Sequence, residues 1–203
     1  AKIYSTPATD GRRIIAVSSD GMVRALARRT GRLLWSFDMR QPSVASPVTD
    51  GELVYLTGSS GKCYALDIKD GTVIWSNAMI DGFVETIPII YRGMLIFGTW
   101  NNHLYALDTD SGEILWNWHN GYSNRMLSPA ACVPVAVDGR LFVVAPDRKM
   151  ACLDASTGQL LWHSDLGAIA VRESMGVTAD SSLILAKTMN GITVGVNADG
   201  EEG

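Results

Sequence analysis

Short apolar runs separated by Asp-Gly, Ser-Gly and Arg-Gly turns fill this chain, and none of them sustains a helical period. One stretch sets the pattern. ASPVTDG (45–51) is a short strand ending in a turn, ELVYLTG (52–58) reads as a half-buried strand, KCYALD (62–67) as a third, and KDGTVIW (69–75) turns into a fourth that closes on Trp75. The following stretch writes the same unit again as TIPIIYRG, MLIFGTWNN, HLYALDTDSG and EILW. Its most similar segments are ALDIKDGTVIW (65–75) and ALDTDSGEILW (106–116).

The closing tryptophans are Trp35, Trp75, Trp116 and Trp162, spaced by 40, 41 and 46 residues. A period near forty built from four short strands is that of one propeller blade. The pattern therefore predicts an all-β chain, a single β-propeller segment over 1–203 of four-stranded antiparallel blades. Its units are approximately 5–35, 46–75, 86–116 and 128–162, with a partial fifth over 174–203. Such an array has an open edge at each end. Two expectations follow: the chain is a fragment of a larger, seven- or eight-bladed ring, or its edges pair with another chain by self-association.

Composition narrows the function classes. Hydrophobic residues make up 47% of the chain and charged residues 19%, enough apolar content for a packed core. No continuous apolar stretch approaches the length of a membrane span. The net charge of −4 argues against nucleic acid as a partner, although the first forty residues hold eight Lys/Arg against three Asp/Glu. Cys63, Cys132 and Cys152 are odd in number and widely spaced, which signals neither a disulfide framework nor a metal knuckle. In the repeat alignment Cys63 and Cys152 fall at apolar core positions.

These residues resemble the pyrroloquinoline-quinone-type (PQQ-like) β-propeller repeat, whose tryptophan-docking signature runs A-x-D-x-x-x-G-x-x-x-W. Ala65, Asp67, Gly71 and Trp75 match it, as do Ala106, Asp108, Gly112 and Trp116. The fourth unit keeps Asp154, Gly158 and Trp162 with Cys152 for Ala. The first keeps Ala25, Gly31 and Trp35 with Ala27 for Asp, and the fifth has Gly195 and Asn197 but no Trp. The resemblance implies a structural role for these docking residues, in which Gly supplies a tight turn, Asp caps it and Trp wedges against the neighbouring blade. It also implies a periplasmic or otherwise extracytoplasmic location in a bacterium.

Three functions are implied by the same resemblance: a PQQ- and calcium-dependent dehydrogenase, a non-catalytic scaffold like the propeller lipoprotein of outer-membrane-protein assembly, or an accessory domain of a larger enzyme such as a calcineurin-like phosphoesterase. The dehydrogenase signs are missing, since no two cysteines are neighbours. DTDSGE (108–113) looks superficially like a calcium loop but coincides with the docking turn. His103, His119 and His163 are read as lying far apart in three settings, the latter two in comparable surface positions beyond their tryptophans. No catalytic residue, metal site or cofactor is assigned.

Departures from the repeat are the remaining signal. The extra length of the fourth unit lies before Gly139, in the stretch NWHNGYSNRMLSPAACVPVAVDG. Under the usual blade order this connection shares one face with the loops between second and third strands. That face is expected to gather Tyr122, Asn124 and Arg125, Trp100 and Asn101, Asp147 and Arg148, and Arg172 with Glu173. Arginines beside aromatic and amide groups suit a carboxylate, phosphate or acidic peptide. The expected function is a scaffold propeller that presents this loop face to a protein partner or acidic ligand.

Overall fold

The computed structural model describes residues 1–119, 121, 132–144, 149–163, 171–188 and 191–198, and every regular element among them is a strand. The first sheet holds β1 (Ala8–Thr9), β2 (Arg13–Val17), β3 (Met22–Ala27) and β4 (Leu33–Asp38). The second holds β5 (Val48–Thr49), β6 (Leu53–Thr57), β7 (Cys63–Asp67) and β8 (Val73–Asn77), and the third β9 (Ile89–Tyr91), β10 (Met94–Gly98), β11 (His103–Asp108) and β12 (Ile114–His119). The fourth contains β13 (Val135–Val137), β14 (Arg140–Val144), β15 (Met150–Asp154) and β16 (Leu160–His163); the fifth contains β17 (Val171–Val177), β18 (Leu183–Thr188) and β19 (Thr193–Asn197). Within each sheet the strands lie in chain order and pair antiparallel, which is the four-stranded meander of a propeller blade, three-stranded in the fifth among the described residues.

Turn chemistry fixes these hairpins. At the entry to blades one and two, Asp10 Oδ1 accepts the N–H groups of Arg12 and Arg13, and Asp50 Oδ1 those of Glu52 and Leu53. Blades three and four instead use Arg92-Gly93 and Asp138-Gly139, with both residues of each pair at positive φ, as a two-residue hairpin turn demands.

The core lies between sheets. Pleating sends alternate side chains to opposite faces: Val54, Leu56 and Leu66 pack towards blade one, while Tyr55, Cys63, Ala65 and Trp75 pack towards blade three. Blade three repeats this arrangement, giving Leu95, Phe97 and Leu107 to blade two and Ile96, Leu104 and Trp116 to blade four. Because both faces of an inner blade are buried, its strands read as nearly continuous apolar runs. Cys63, Cys132 and Cys152 are all free and buried.

One irregularity recurs in four blades. The strand carrying the closing tryptophan gains an extra residue opposite Ala25/Leu26, Ala65/Leu66, Ala106/Leu107 and Cys152/Leu153. The unmatched residues are Leu34, Ile74, Leu115 and Leu161, exposed by 37%, 51%, 50% and 51%, so each bulge places an aliphatic side chain in solvent. A bulge increases local twist, and here it immediately precedes the indole laid onto the next blade.

Candidate functional site

The closing tryptophans join consecutive blades. Trp35 Nε1 donates to Ile68 O at 3.0 Å, Trp75 Nε1 to Thr109 O at 2.8 Å and Trp116 Nε1 to Ala155 O at 3.1 Å. Each acceptor follows Asp67, Asp108 or Asp154. Beneath the indoles lie Gly71, Gly112 and Gly158, where an added Cβ would overlap the rings of Trp35, Trp75 and Trp116. Each glycine N–H returns to the carbonyl of the turn's first residue, and Gly31 makes the same bond to Ala27 without an indole above it. Trp162 Nε1 is buried with no partner among the described residues.

The aspartates of these turns are occupied. Asp67 Oδ1 accepts the Lys69 N–H; Asp108 Oδ1 accepts from Asp110 N, Ser111 N and Ser111 Oγ; Asp154 Oδ1 accepts from Ser156 and Thr157 through both backbone and hydroxyl. Hydrogen bonds to Ser111 and Ser156 hold the Asp108 and Asp154 carboxyls below the usual carboxylate range. DTDSGE is thus a capped turn in which Asp108 Oδ1 accepts the turn's own N–H and hydroxyl groups. Among the described residues no group of three or more His, Cys, Asp or Glu is placed to hold a metal ion.

The loop face is built by connections that lean on the following blade. Gln41, from the link between β4 and β5, is buried against the β6–β7 loop, where its Nε2 donates to Lys62 O at 2.8 Å and its Oε1 accepts Ser60 N at 3.0 Å. Gly58 makes room for it, since a Cβ there would overlap the Gln41 side chain. One blade on, the roles reverse: Gly82 is the small residue, and an added Cβ would stand 3.0 Å from Thr99 Cβ. Asn102 (φ 65°) occupies the turn position that Gly21 and Gly61 hold in the first two blades, a backbone region Asn tolerates better than most side chains.

Trp100 and Asn101 lie half-buried on this face. Trp100 N donates to Phe83 O at 3.0 Å and its Nε1 to Glu85 Oε2 at 2.8 Å, tying the β10–β11 loop to the β8–β9 connection. Nearby, His103 and His119 face each other across β11 and β12 with ring centroids 4.9 Å apart, and Tyr105 stacks on His103 at 5.7 Å. The Tyr105 hydroxyl accepts Asp81 N at 3.3 Å, while His119 Nδ1 accepts Gly121 N at 2.9 Å. Burial, followed by the nearby His119 charge, lowers the His103 pKa, with Asp81 opposing. The result is a surface of indole, imidazole and carboxylate groups, backed by the buried Tyr105 ring, in which several polar atoms are already oriented.

Three expectations from sequence change here. His103 and His119 are not far apart: the β11–β12 register sets them directly opposite each other, a relation their separation along the chain conceals. His119 and His163 are not equivalent either, because His119 ends its strand opposite His103 whereas His163 pairs with Ala151, one residue beyond Trp162. Arg172 and Glu173 lie within β17 rather than in a connecting loop, between the pairs Val171↔Thr188 and Met175↔Ala186, where the register shifts. Tyr122, Asn124, Arg125, Asp147 and Arg148 lie outside the described residues. Sequence reasoning missed Asp81 and Glu85, whose only signal was their place in a connection leading to the loop that holds Trp100.

On the opposite face, a cavity of 380 Å³ between blades three and four is lined by Tyr91, Arg92, Asp108, Asp110, Leu115 and Asp154, among others. Tyr91 helps close the junction by accepting Gly139 N at 2.8 Å through its hydroxyl.

A family model described as outer membrane protein assembly factor BamB matches residues 1–83, 19–131 and 117–202. Among curated proteins, the BamB of Vibrio cholerae serotype O1 is 36% identical over 192 residues, covering 91% of this chain and 49% of its own length. A polyvinylalcohol dehydrogenase of Sphingopyxis is 30% identical over 86 residues, 37% of this chain and 13% of its own. The crystal structure of BamB from Moraxella catarrhalis superposes with a TM-score of 0.77 at 21% identity, over 98% of this chain and 60% of that one. The quinohemoprotein alcohol dehydrogenase ADHIIG of Pseudomonas putida HK5 gives 0.77 at 16% identity, over 98% of this chain and 41% of that one. The chain thus spans about half the length of its Vibrio relative or less of the others named among curated proteins.

Proposed function

The chain belongs to the family of PQQ-like propellers described as outer membrane protein assembly factor BamB, and from that premise we propose that it is a non-catalytic scaffold segment. It presents its loop face to a protein partner in outer-membrane-protein assembly, on the periplasmic side of that membrane. The observation that carries this reading is the Trp100–Glu85 hydrogen bond, because it fixes a half-buried indole of the β10–β11 loop against the β8–β9 connection, which also carries Asp81. Rigid aromatic groups ringed by polar ones are the anchor chemistry of protein interfaces. Arg125, Arg148, Tyr122 and Asn124 extend the surface in this proposal, supplying the groups that would pair with a partner's carboxylates.

A photocrosslinking amino acid at Asn101 tests the proposal in cells of the source organism. A discrete adduct with an outer-membrane assembly protein is expected from Asn101 and not from Thr72, an exposed residue on the opposite turn face. Equal labelling from both positions removes the loop face as the interface. The similarity to dehydrogenases motivates one rival: saturable PQQ binding with redox-dye reduction by an alcohol in the presence of calcium would replace the scaffold reading with catalysis.

A further inference from the structure

Blade one differs in charge from its neighbours on the turn face opposite the candidate site. Its third and fourth strands are joined by ARRTGR (27–32), where blades two, three and four have DIKDGT, DTDSGE and DASTGQ. Its backbone makes the same turn bonds, with Ala27 N donating to Arg32 O at 2.8 Å and Gly31 N to Ala27 O at 2.8 Å. It is held against the first hairpin of the blade by Arg28 N donating to Arg12 O at 2.9 Å and Arg28 Nη1 to Gly11 O at 3.2 Å. These bonds bring Arg12, Arg29 and Arg32 onto adjacent turns, and all three are exposed.

The nearest carboxylate is not available to them. Asp10 Oδ1 is taken by the N–H groups of Arg12 and Arg13, and Asp10 Oδ2 pairs with Arg13 Nη1 at 2.7 Å. That ion pair is the one formed among the described residues. The exposure of the three arginines does not depend on the blade's position at the start of the array. Their counterparts in blade two, flanked on both sides, are Glu52, Lys69 and Thr72, all exposed; in blade three Asp110 and Glu113 are exposed as well. Arg28 is exposed too but braces the two turns through its bonds to Arg12 O and Gly11 O, whereas its counterpart Ile68 is fully buried.

We propose that Arg12, Arg29 and Arg32 form a second interaction surface, which docks an acidic polypeptide segment on the turn face of blade one. Guanidinium groups match carboxylates with paired hydrogen bonds, and a closed turn fixes their backbone in advance. Leu33 and Leu34, both exposed beside Arg32, offer an aliphatic contact next to the charges. A membrane surface fits less well. The adjoining turns of blades two and three place Glu52, Asp70, Asp110 and Glu113 on the same face, where an anionic plane would be repelled. A short peptide touches blade one alone.

Fluorescence anisotropy with a fluorescein-labelled Asp/Glu decapeptide tests this at low and moderate salt. The variant Arg12→Gln/Arg29→Gln/Arg32→Gln is expected to bind at least about tenfold more weakly, with a shallower salt dependence. The control Arg40→Gln/Lys62→Gln/Lys187→Gln, equal in charge change, stays near wild type. Both variants are compared at equal melting temperature, and Arg12→Lys/Arg29→Lys/Arg32→Lys falls between them because it keeps charge without the paired hydrogen bonds. Equal losses in the two Gln variants reduce the effect to net charge and overturn the proposal. So does the absence of saturable peptide binding, whether the arginines instead govern sedimentation with phosphatidylglycerol vesicles or self-association through the acidic turns of another copy.

Discussion

Alanine placed at equivalent glycines separates the cost of a turn from the cost of docking. Gly31 and Gly112 occupy the same position in blades one and three, at φ 68° and 74°. Giving a left-handed residue a Cβ costs about 1–2 kcal/mol. A Cβ on Gly31 meets nothing within 4 Å, whereas on Gly112 it overlaps the six-membered ring of Trp75. The indole cannot swing aside without losing its hydrogen bond to Thr109 O and its place between Tyr55 and the next blade. Overpacking of this kind adds about 1–3 kcal/mol, so Gly31→Ala is expected to cost about 1–2 kcal/mol and Gly112→Ala about 2–5 kcal/mol. For a chain of this length each kcal/mol moves Tm by about 2–4 °C. Urea unfolding of the 203-residue chain, followed by far-ultraviolet circular dichroism, measures the difference. In a Trp75→Ala background the excess cost of Gly112→Ala should vanish, since the cycle removes the atoms it collides with. Equal destabilisation by the two alanines, or an excess that survives loss of Trp75, would refute the docking argument.

Other outcomes follow from the same contacts. Trp75→Phe orphans the buried Thr109 carbonyl and is expected to cost about 1–3 kcal/mol more than Trp162→Phe, which removes an indole N–H buried without a partner among the described residues; paired denaturation curves decide this. Asp154 has a lowered folded pKa because Ser156 leads the hydrogen bonds to its carboxylate, so the stabilisation is complete above the unfolded value near 3.9 and is lost as pH falls through the folded one. Ser156→Ala should therefore raise the Asp154 midpoint in a carboxyl-carbon NMR titration, while Asp180, held at about 2 by Thr178 and Ser182, stays unchanged. Burial raises the thiol pKa of both Cys63 and Cys152, the latter to about 11, so neither should react with a disulfide reagent at pH 8 until urea opens the blades, as read by mass-resolved labelling.

The division between sequence and structure follows from the range of the forces involved. Turns and strands are local, so Asp-Gly punctuation, the recurring apolar runs and the spacing of Trp35, Trp75, Trp116 and Trp162 determined the blades and their order. Burial of an inner blade on both faces was instead decided by its neighbours: ELVYLTG reads as a half-buried strand, yet Val54, Tyr55, Leu56 and Thr57 of β6 are all buried because a blade packs on each side. Cross-strand register is different, since it emerges only when a bulge before each tryptophan sets which residues stand opposite. That is why His103 and His119 meet at 4.9 Å although their sequence positions suggested separate settings, and why Arg172 and Glu173 belong to a strand. The partners of Trp100, and the absence of ion pairs at Arg12, Arg29 and Arg32 among the described residues, were likewise decided by tertiary structure. Hydrogen bonding and charge pairing depend on distances of a few ångströms between loops far apart in sequence, and no local pattern encodes them.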